Sequence, residues 1–336
     1  MDKEIIFAYM SRIYTSIEIC AGAGGQAIGL DQAGFEHLAL VELENLACQT
    51  LRFNKPQWNV IEKDVRNFSA TKYEGVDLFA GGVPCPPFSI AGKQLGKDDE
   101  RDLFPEALRL VRECSPKAVM LENVKGILSA KFEGYRNQII AELNSLGYQC
   151  TWKLINSSDY GVSQLRPRAI LVALKKEYFD LFTWPEKNQL FVPSVGQLLF
   201  EEITSLGWDA SNWVNKAARI APTLVGGSKK HGGADLGPTR AKQAWAEMGI
   251  CGKGLADAPP AADFTGLPRL TLKMTALIQG FPSSWKFVGK KTPAYRQVGN
   301  AFPPPVAKAV GESIIRALKL HEQKSAKSTR IEIEAA

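Results

Sequence analysis

Between residues 14 and 174 the chain alternates short apolar runs with helix-patterned segments, and that alternation leaves it few folds to choose from. The runs are YTSIEIC (14–20), HLALVE (37–42), WNVIEKD (58–64), GVDLFAG (75–81), KAVMLENV (117–124), YQCTWKLI (148–155) and RAILVAL (168–174). Helical patterns fall between several of them, over about 26–32, 45–53, 103–114 and 135–146, the first stopped by Gly34. Strands separated by helices make βαβ units, which call for a mostly parallel sheet with helices on both faces. The expected class is therefore α/β, and ligands of such sheets sit at the carboxyl ends of the strands.

From about 184 to 267 the pattern breaks into short Gly- and Pro-rich pieces, including VGGSKKHGGADLGP (225–238), which reads as a separate, loop-rich domain. Order resumes over 268–320, with a helix in LTLKMTALIQGF (270–281) and a long amphipathic helix beginning near Pro304. The Lys-, Ser- and Glu-rich tail, 321–336, is expected to be disordered. With 45% hydrophobic and 23% charged residues, disordered and collagen-like classes are excluded. No apolar run approaches the ~20 residues of a membrane helix, and the amino terminus lacks a leader's basic flank and apolar stretch, so a cytoplasmic protein is expected. The six cysteines are dispersed, without a C-x-x-C pair, and there are only three histidines, which argues against a zinc site and a disulfide framework. A net charge of +6 suits an anionic partner without requiring one.

Five stretches carry chemistry. IEICAGAGGQAIG (17–29) is a strand, a glycine turn and a helix start, in which Gly22, Gly24 and Ala27 fit the G-x-G-x-x-[G/A] pattern for close approach of a nucleotide. Glu42 ends the next strand, where an acid can accept ribose hydroxyls, and Asp64 ends the third, placed for an adenine amino group. NAD and S-adenosylmethionine both satisfy that set. GGVPCPPFSI (81–90) holds Cys85 between prolines that fix φ near about −65°, behind glycines that permit unusual angles, so its thiol is confined to a shaped loop. In LENVKGI (121–127), Glu122 ends an apolar strand on the same rim as Cys85; a buried glutamate needs a partner or a task, and a local amide or lysine would also satisfy it. GVSQLRPR (161–168) brings Arg166 and Arg168 to a strand start, where alternation aims both the same way, either toward an anion or carbonyl or into solvent as a basic edge. In AYRQVGNAFPPPVA (294–307), Gly299 and Asn300 turn into the last helix.

Taken in order, E-I-C-A-G-A-G-G, the distal acid, P-C with F-S, E-N-V, Q-L-R-P-R, R-L-T with Q-G-F-P, and R-Q-V-G-N closely resemble the motifs of DNA cytosine-5 methyltransferases, of the bacterial restriction-modification type. The similarity runs over 16–174 and 266–318, and the block between resembles the family's variable target-recognition domain, sharing with it only Ala221-Pro222-Thr223-Leu224. What the resemblance implies is a Rossmann-like S-adenosylmethionine-dependent methyltransferase fold over 13–183, a small loop-rich recognition domain over 184–267, and a segment, 268–320, that returns to the catalytic domain.

The implied activity is transfer of a methyl group from S-adenosyl-L-methionine to carbon 5 of a cytosine flipped out of duplex DNA. Cys85 would add to carbon 6, Glu122 would stabilise the protonated adduct at nitrogen 3 and the amino group, and Arg166 and Arg168 would position the cytosine carbonyl and the acid. Implied cofactor contacts are Ala21, Gly22, Gly24, Gly25, Glu42, Leu43, Asp64, Val65, Pro84, Leu103, Asn300 and Ala301. Ser89 would meet the flipped nucleotide, and the stretch 92–101, with Lys93 and Gln94, would close over the DNA. Thr223, Lys229 and Lys230 are the expected DNA contacts of the middle block. The resemblance also implies a monomer with double-stranded DNA and a cognate endonuclease as partners. Four positions depart from the family: Cys20 replaces an aromatic residue against the adenine, Leu43 a frequent aromatic, Pro86 a glutamine and Met274 an acid. An RNA cytosine-5 methyltransferase of the same fold and a catalytically silent DNA-binding relative are the alternatives; a nicotinamide oxidoreductase would leave Q-L-R-P-R and the P-C loop unexplained.

Overall fold

The computed structural model describes residues 12–84, 102–187, 191–227 and 233–334. Cys85, Ser89, Lys93, Gln94, Lys229 and Lys230 lie outside the described residues.

Seven strands form one sheet in the order β3-β2-β1-β4-β5-β7-β6. They are β1 (Tyr14–Ile19), β2 (Phe35–Glu42), β3 (Val60–Glu62), β4 (Leu78–Gly82), β5 (Ala118–Val124), β6 (Tyr148–Asn156) and β7 (Pro167–Lys175). The pairs from β3 to β5 are parallel, whereas β7 runs antiparallel to both β5 and β6. The reversal follows from length: a parallel crossover needs about a dozen residues or more, usually with a helix, and the link after Asn156 holds only a short 3-10 turn, Ser157–Tyr160.

Both faces of the sheet are buried, with side chains alternating between two layers. Ile17, Ile19, Phe79, Val119 and Leu121 point into one layer, against α3 (Phe104–Cys114) and α4 (Glu133–Ser145). Leu78, Ala80, Met120, Ile170 and Val172 face the other, against α11 (Pro304–Glu334). The helices α1 (Gly25–Ala33) and α2 (Asn45–Asn54) complete the first half. At Gly29, α1 touches the start of α11 so closely that a Cβ would lie 2.3 Å from the Pro304 carbonyl oxygen. The tail expected to be disordered continues α11 to Glu334. Lys, Glu, Gln and Ala are good helix formers, and the first turns beyond Leu320 are tied back: Tyr14 donates to Glu322 (3.0 Å), Arg12 pairs with Glu322, and Tyr178 and His321 rings meet at 4.5 Å.

After α5 (Lys176–Phe179), the middle block contains α6 (Val195–Thr204), α7 (Ser211–Lys216) and α8 (Thr239–Glu247) among the described residues. Ser194 and Gln197 form a reciprocal cap at the start of α6. The block has an apolar centre of its own, with Val195, Leu199, Trp213 and Trp245, closed by Met274 and Ile278 of α9 (Leu272–Ile278) and Tyr295 of α10 (Lys291–Asn300). Met274 is fully buried there, so an apolar side chain suits the position.

Candidate active site

The carboxyl ends of β1 to β5 open onto a cleft of about 730 Å³. Its walls include every cofactor contact expected from the sequence except Gly24: Ala21, Gly22 and Gly25 of the glycine turn, Glu42 and Leu43 at the end of β2, Asp64 and Val65 after β3, Pro84, Leu103, Asn300 and Ala301. Glu122 lines the same cleft. Gly24 supports the turn from behind: its φ is +91°, and a Cβ would meet Leu51 at 2.8 Å and Trp285 at 3.0 Å. Trp285 in turn donates its indole N–H to the Ala23 carbonyl (3.2 Å), so the carboxyl-terminal segment braces the turn. Cys20 carries φ +51°, uncommon for a side-chain-bearing residue and concentrated at functional turns.

Glu42 organises this end of the cleft. Its carboxylate accepts backbone N–H groups from Gly22 (2.7 Å), Leu43 (2.9 Å) and Glu44 (2.8 Å). Burial raises its pKa, and those donors oppose the rise. One oxygen takes two of the three bonds and the other takes one, so an acceptor position remains for a ligand hydroxyl. Asp64 is held by the Arg66 guanidinium (2.8–3.2 Å) and backbone N–H (3.0 Å), which lower its pKa. Leu43, 57% exposed, offers an apolar surface at the rim.

At the other end, Glu122 pairs with Arg168 (Nε to Oε1, 2.7 Å), both side chains being largely buried. Desolvation raises the Glu122 pKa, against the lowering influence of Arg168 and Arg166. Gly82, registered opposite Glu122 on β4, adds no side chain of its own beside the carboxyl, where a Cβ would lie 3.5 Å from Oε2. Asn123 donates to the Val83 carbonyl (3.2 Å), fixing the end of β4 two residues before Cys85. Pro84, the residue bonded to Cys85, stands in the wall shared with Glu122.

The two arginines do different things. Arg168 faces Glu122, but Arg166, 1% exposed, is drawn inward before β7 begins. Its terminal nitrogens donate to the carbonyls of Leu224 (2.8 Å), Gly299 (2.8 Å) and Ala301 (3.0 Å), joining the middle block to the turn before α11. Gln164 works beside it, donating to Gln279 (2.6 Å) and accepting from the Leu224 N–H (2.8 Å). At the same junction Gly226 and Gly299 meet backbone to backbone: a Cβ on Gly299 would lie 2.4 Å from the Gly226 nitrogen. Asn300 donates to the Gly227 carbonyl (3.3 Å). The Thr223 hydroxyl, expected on DNA, donates to the Leu165 carbonyl (2.6 Å). Sequence reasoning passed over Glu18, Gln26 and Arg296, which also line the cleft; the available signal was a charged residue, Glu18, inside the apolar run YTSIEIC.

A seven-stranded sheet with one reversed strand next to its edge, glycines after β1 and acids after β2 and β3 defines a Rossmann-like S-adenosylmethionine-dependent methyltransferase. Residues 14–316 match the family of C-5 cytosine-specific DNA methylases, and the chain belongs to that family. It is a DNA cytosine-5 methyltransferase. The Type II methyltransferase M.NgoMIV of Neisseria gonorrhoeae is 60% identical over 311 residues, covering 91% of this chain and 98% of the relative. M.NaeI of Lentzea aerocolonigenes, also a Type II methyltransferase, is 53% identical over 311 residues, covering 90% of this chain and 75% of its own. Among solved structures, a Spodoptera frugiperda DNMT2 variant superimposes with a TM-score of 0.63 at 19% identity, covering 90% of this chain and 99% of that one.

Proposed function

We propose that the chain is the modification enzyme of a restriction-modification system, methylating carbon 5 of a cytosine flipped from a short duplex site through a covalent Cys85 adduct. The observation that carries this reading is Glu122, buried and paired with Arg168, in the same cleft wall as Pro84, the residue before the proposed nucleophile. S-adenosyl-L-methionine, the family's methyl donor, fits the donor set: a spare acceptor on Glu42, Asp64 nearby, and the apolar Leu43 at the rim. When bound it supplies an electrophilic methyl group.

Carbon 5 of cytosine is a weak nucleophile, and addition of the Cys85 thiolate to carbon 6 makes the ring enamine-like. Glu122 holds a proton toward ring nitrogen 3, and its raised pKa favours the protonated form that this requires. Arg168 orients that carboxyl, and Arg166 positions the loop walls around it. Loss of the carbon 5 proton and departure of the thiolate then restore the ring. The middle block, 184–267, serves as the target-recognition domain, and Lys229 and Lys230 follow the phosphates. The enzyme acts as a cytoplasmic monomer beside a cognate endonuclease. Among the described residues no helix is long and apolar enough to cross a membrane.

Bisulfite sequencing of DNA from an expressing host tests activity and reports the site together. A covalent, denaturation-resistant complex with DNA containing 5-fluorocytosine is expected, and none with Cys85→Ala; near-normal methylation by that variant would sink the mechanism.

A further inference from the structure

One guanidinium in the cleft wall holds nothing. Arg296 of α10 lines the cleft, and its Nε is sealed from solvent without a hydrogen-bond partner, although buried polar atoms are ordinarily satisfied. Its terminal nitrogens enter no ion pair or hydrogen bond among the described residues. The neighbouring groups are all engaged. Arg168 pairs with Glu122 (2.7 Å), Arg166 donates to three carbonyls, and Arg66 holds Asp64 (2.8 Å). On α10 itself Gln297 is tied to Thr50 and Val288, and Asn300 to Gly227. Arg296 stands at the seam between the cleft and the middle block, where a Cβ on Gly226 would lie 2.7 Å from its carbonyl oxygen. Four residues on, about 6 Å along the helix axis, Asn300 enters the turn whose Gly299 and Ala301 carbonyls are held by Arg166. Arg166 in turn feels the charge of Glu122, so Arg296 lies about one helical turn from the Glu122 end of the cleft.

Resting on the reading of Glu122 as the acid that meets a flipped cytosine, we propose that Arg296 takes a backbone phosphate flanking that cytosine. The edge formed by Nε and one terminal nitrogen matches two oxygens of a phosphodiester, which satisfies the sealed Nε at the moment the nucleotide enters. Charge favours the DNA as the source of the anion. A nucleotide whose base sits at Glu122 brings its phosphates to the mouth of the cleft, and no other unmatched guanidinium waits there: Arg168 is matched by Glu122 and Arg166 is turned into the protein. Lys63 and Arg66 lie after β3, toward the other end. S-adenosylmethionine carries a sulfonium and an ammonium against a single carboxylate, so a free cation gains less from it than from a phosphate. Because Nε lies within the wall, DNA resting outside the cleft does not reach it. The contact therefore adds to affinity for the target site alone, and it holds the flipped nucleotide by its backbone while Glu122 reads the base.

The test is fluorescence anisotropy of the full chain, with S-adenosylhomocysteine present, on two labelled duplexes of equal length, one carrying the site mapped by bisulfite sequencing and one without it. Titrations span about 50 to 200 mM KCl, because each phosphate neutralised adds about 0.9 to the slope of log affinity against log salt. For Arg296→Gln the slope on the site duplex should be shallower by about 0.9, so the wild type's advantage should grow about three- to fourfold from 200 to 50 mM. Arg296→Lys keeps the charge and loses the fork, and should restore the slope without the full affinity. On the duplex without the site, wild type and Arg296→Gln should have equal slopes. Melting temperature and S-adenosylhomocysteine affinity, measured by calorimetry, should match the wild type in both variants, since Arg296 holds nothing in the free protein. An unchanged slope on the site duplex, or an equal change on both duplexes, overturns the inference. Lost S-adenosylhomocysteine affinity with the DNA slope intact also overturns it, and assigns the guanidinium to the cofactor's carboxylate. If the wild type forms no denaturation-resistant complex with the site duplex carrying 5-fluorocytosine, the reading of the base end fails, and the inference fails with it.

Discussion

Replacing Arg166 with lysine should destabilise the protein by about 3–6 kcal/mol, and the figure follows from the three carbonyls it holds. Its terminal nitrogens donate to Leu224, Gly299 and Ala301 at 2.8–3.0 Å, in a site 1% exposed. A lysine ammonium is a point donor on an unbranched stem and cannot span carbonyls contributed by two separate segments, so about two of the three bonds are lost. Hydrogen bonds from charged groups contribute about 1.5–3 kcal/mol each, which gives the range. Whole-protein stabilities are about 5–15 kcal/mol, so the variant should fold marginally. With a urea slope of about 3 kcal/mol/M, reasonable for a chain of this size, the unfolding midpoint should drop by about 1–2 M. Tryptophan fluorescence suits the assay, because Trp213 and Trp245 lie in the middle block whose Leu224 carbonyl is released. A midpoint shift below about 0.3 M at unchanged slope would refute the reasoning. Turnover that collapses while the midpoint stays put would mean that this arginine serves the substrate alone.

Arg168→Met should leave Glu122 buried without its partner and raise its pKa further. A folded pKa above the unfolded one favours the fold at low pH and withdraws that support as pH rises through the folded value, so thermal melts should show the variant losing ground to the wild type as pH increases. Gly299→Ala should destabilise by about 1–3 kcal/mol, because its Cβ would press on Gly226 backbone atoms at 2.4–2.5 Å that no rotamer change can move. Gly134→Ala, on a helix and with open space around the added carbon, should instead be neutral or stabilising by up to about 1 kcal/mol, and parallel urea titrations compare the two. Glu42→Gln turns an amide N–H toward backbone N–H donors, and S-adenosylhomocysteine affinity measured by isothermal titration calorimetry should fall by about tenfold or more.

Much of this fold was legible because its signals are local. The nearly continuous apolar runs of β1, β4 and β5, Gly34 at the end of α1 and acids at strand ends all lie within a few residues of what they control. The reversed β7 was also within reach, since the short link between β6 and β7 has no room for a crossover. The middle block was read as loop-rich, and its short helices escaped notice because they are held by tertiary contacts of Trp213, Trp245 and Tyr295 that no local window contains. One expectation failed for a physical reason: the tail looked disordered by composition, but the same residues are good helix formers once α11 is already nucleated.

The site was harder to read, because strand alternation decides which face a side chain leaves from and says nothing of how deep its end goes. Arg166, just before β7, and Arg168, within it, stand two residues apart, yet the first meets three carbonyls and the second a carboxylate. Those carbonyls come from positions 224, 299 and 301, so no reading of Q-L-R-P-R by itself could have found them. The consequence bears on mechanism. Gly227 and Asn300 line the cofactor cleft and are joined to each other, while Arg166 and Gln164 fix the segment leading to Gly227 from the far side. The middle block and the cleft therefore share one wall, and a displacement of 224–227 necessarily changes the shape of both.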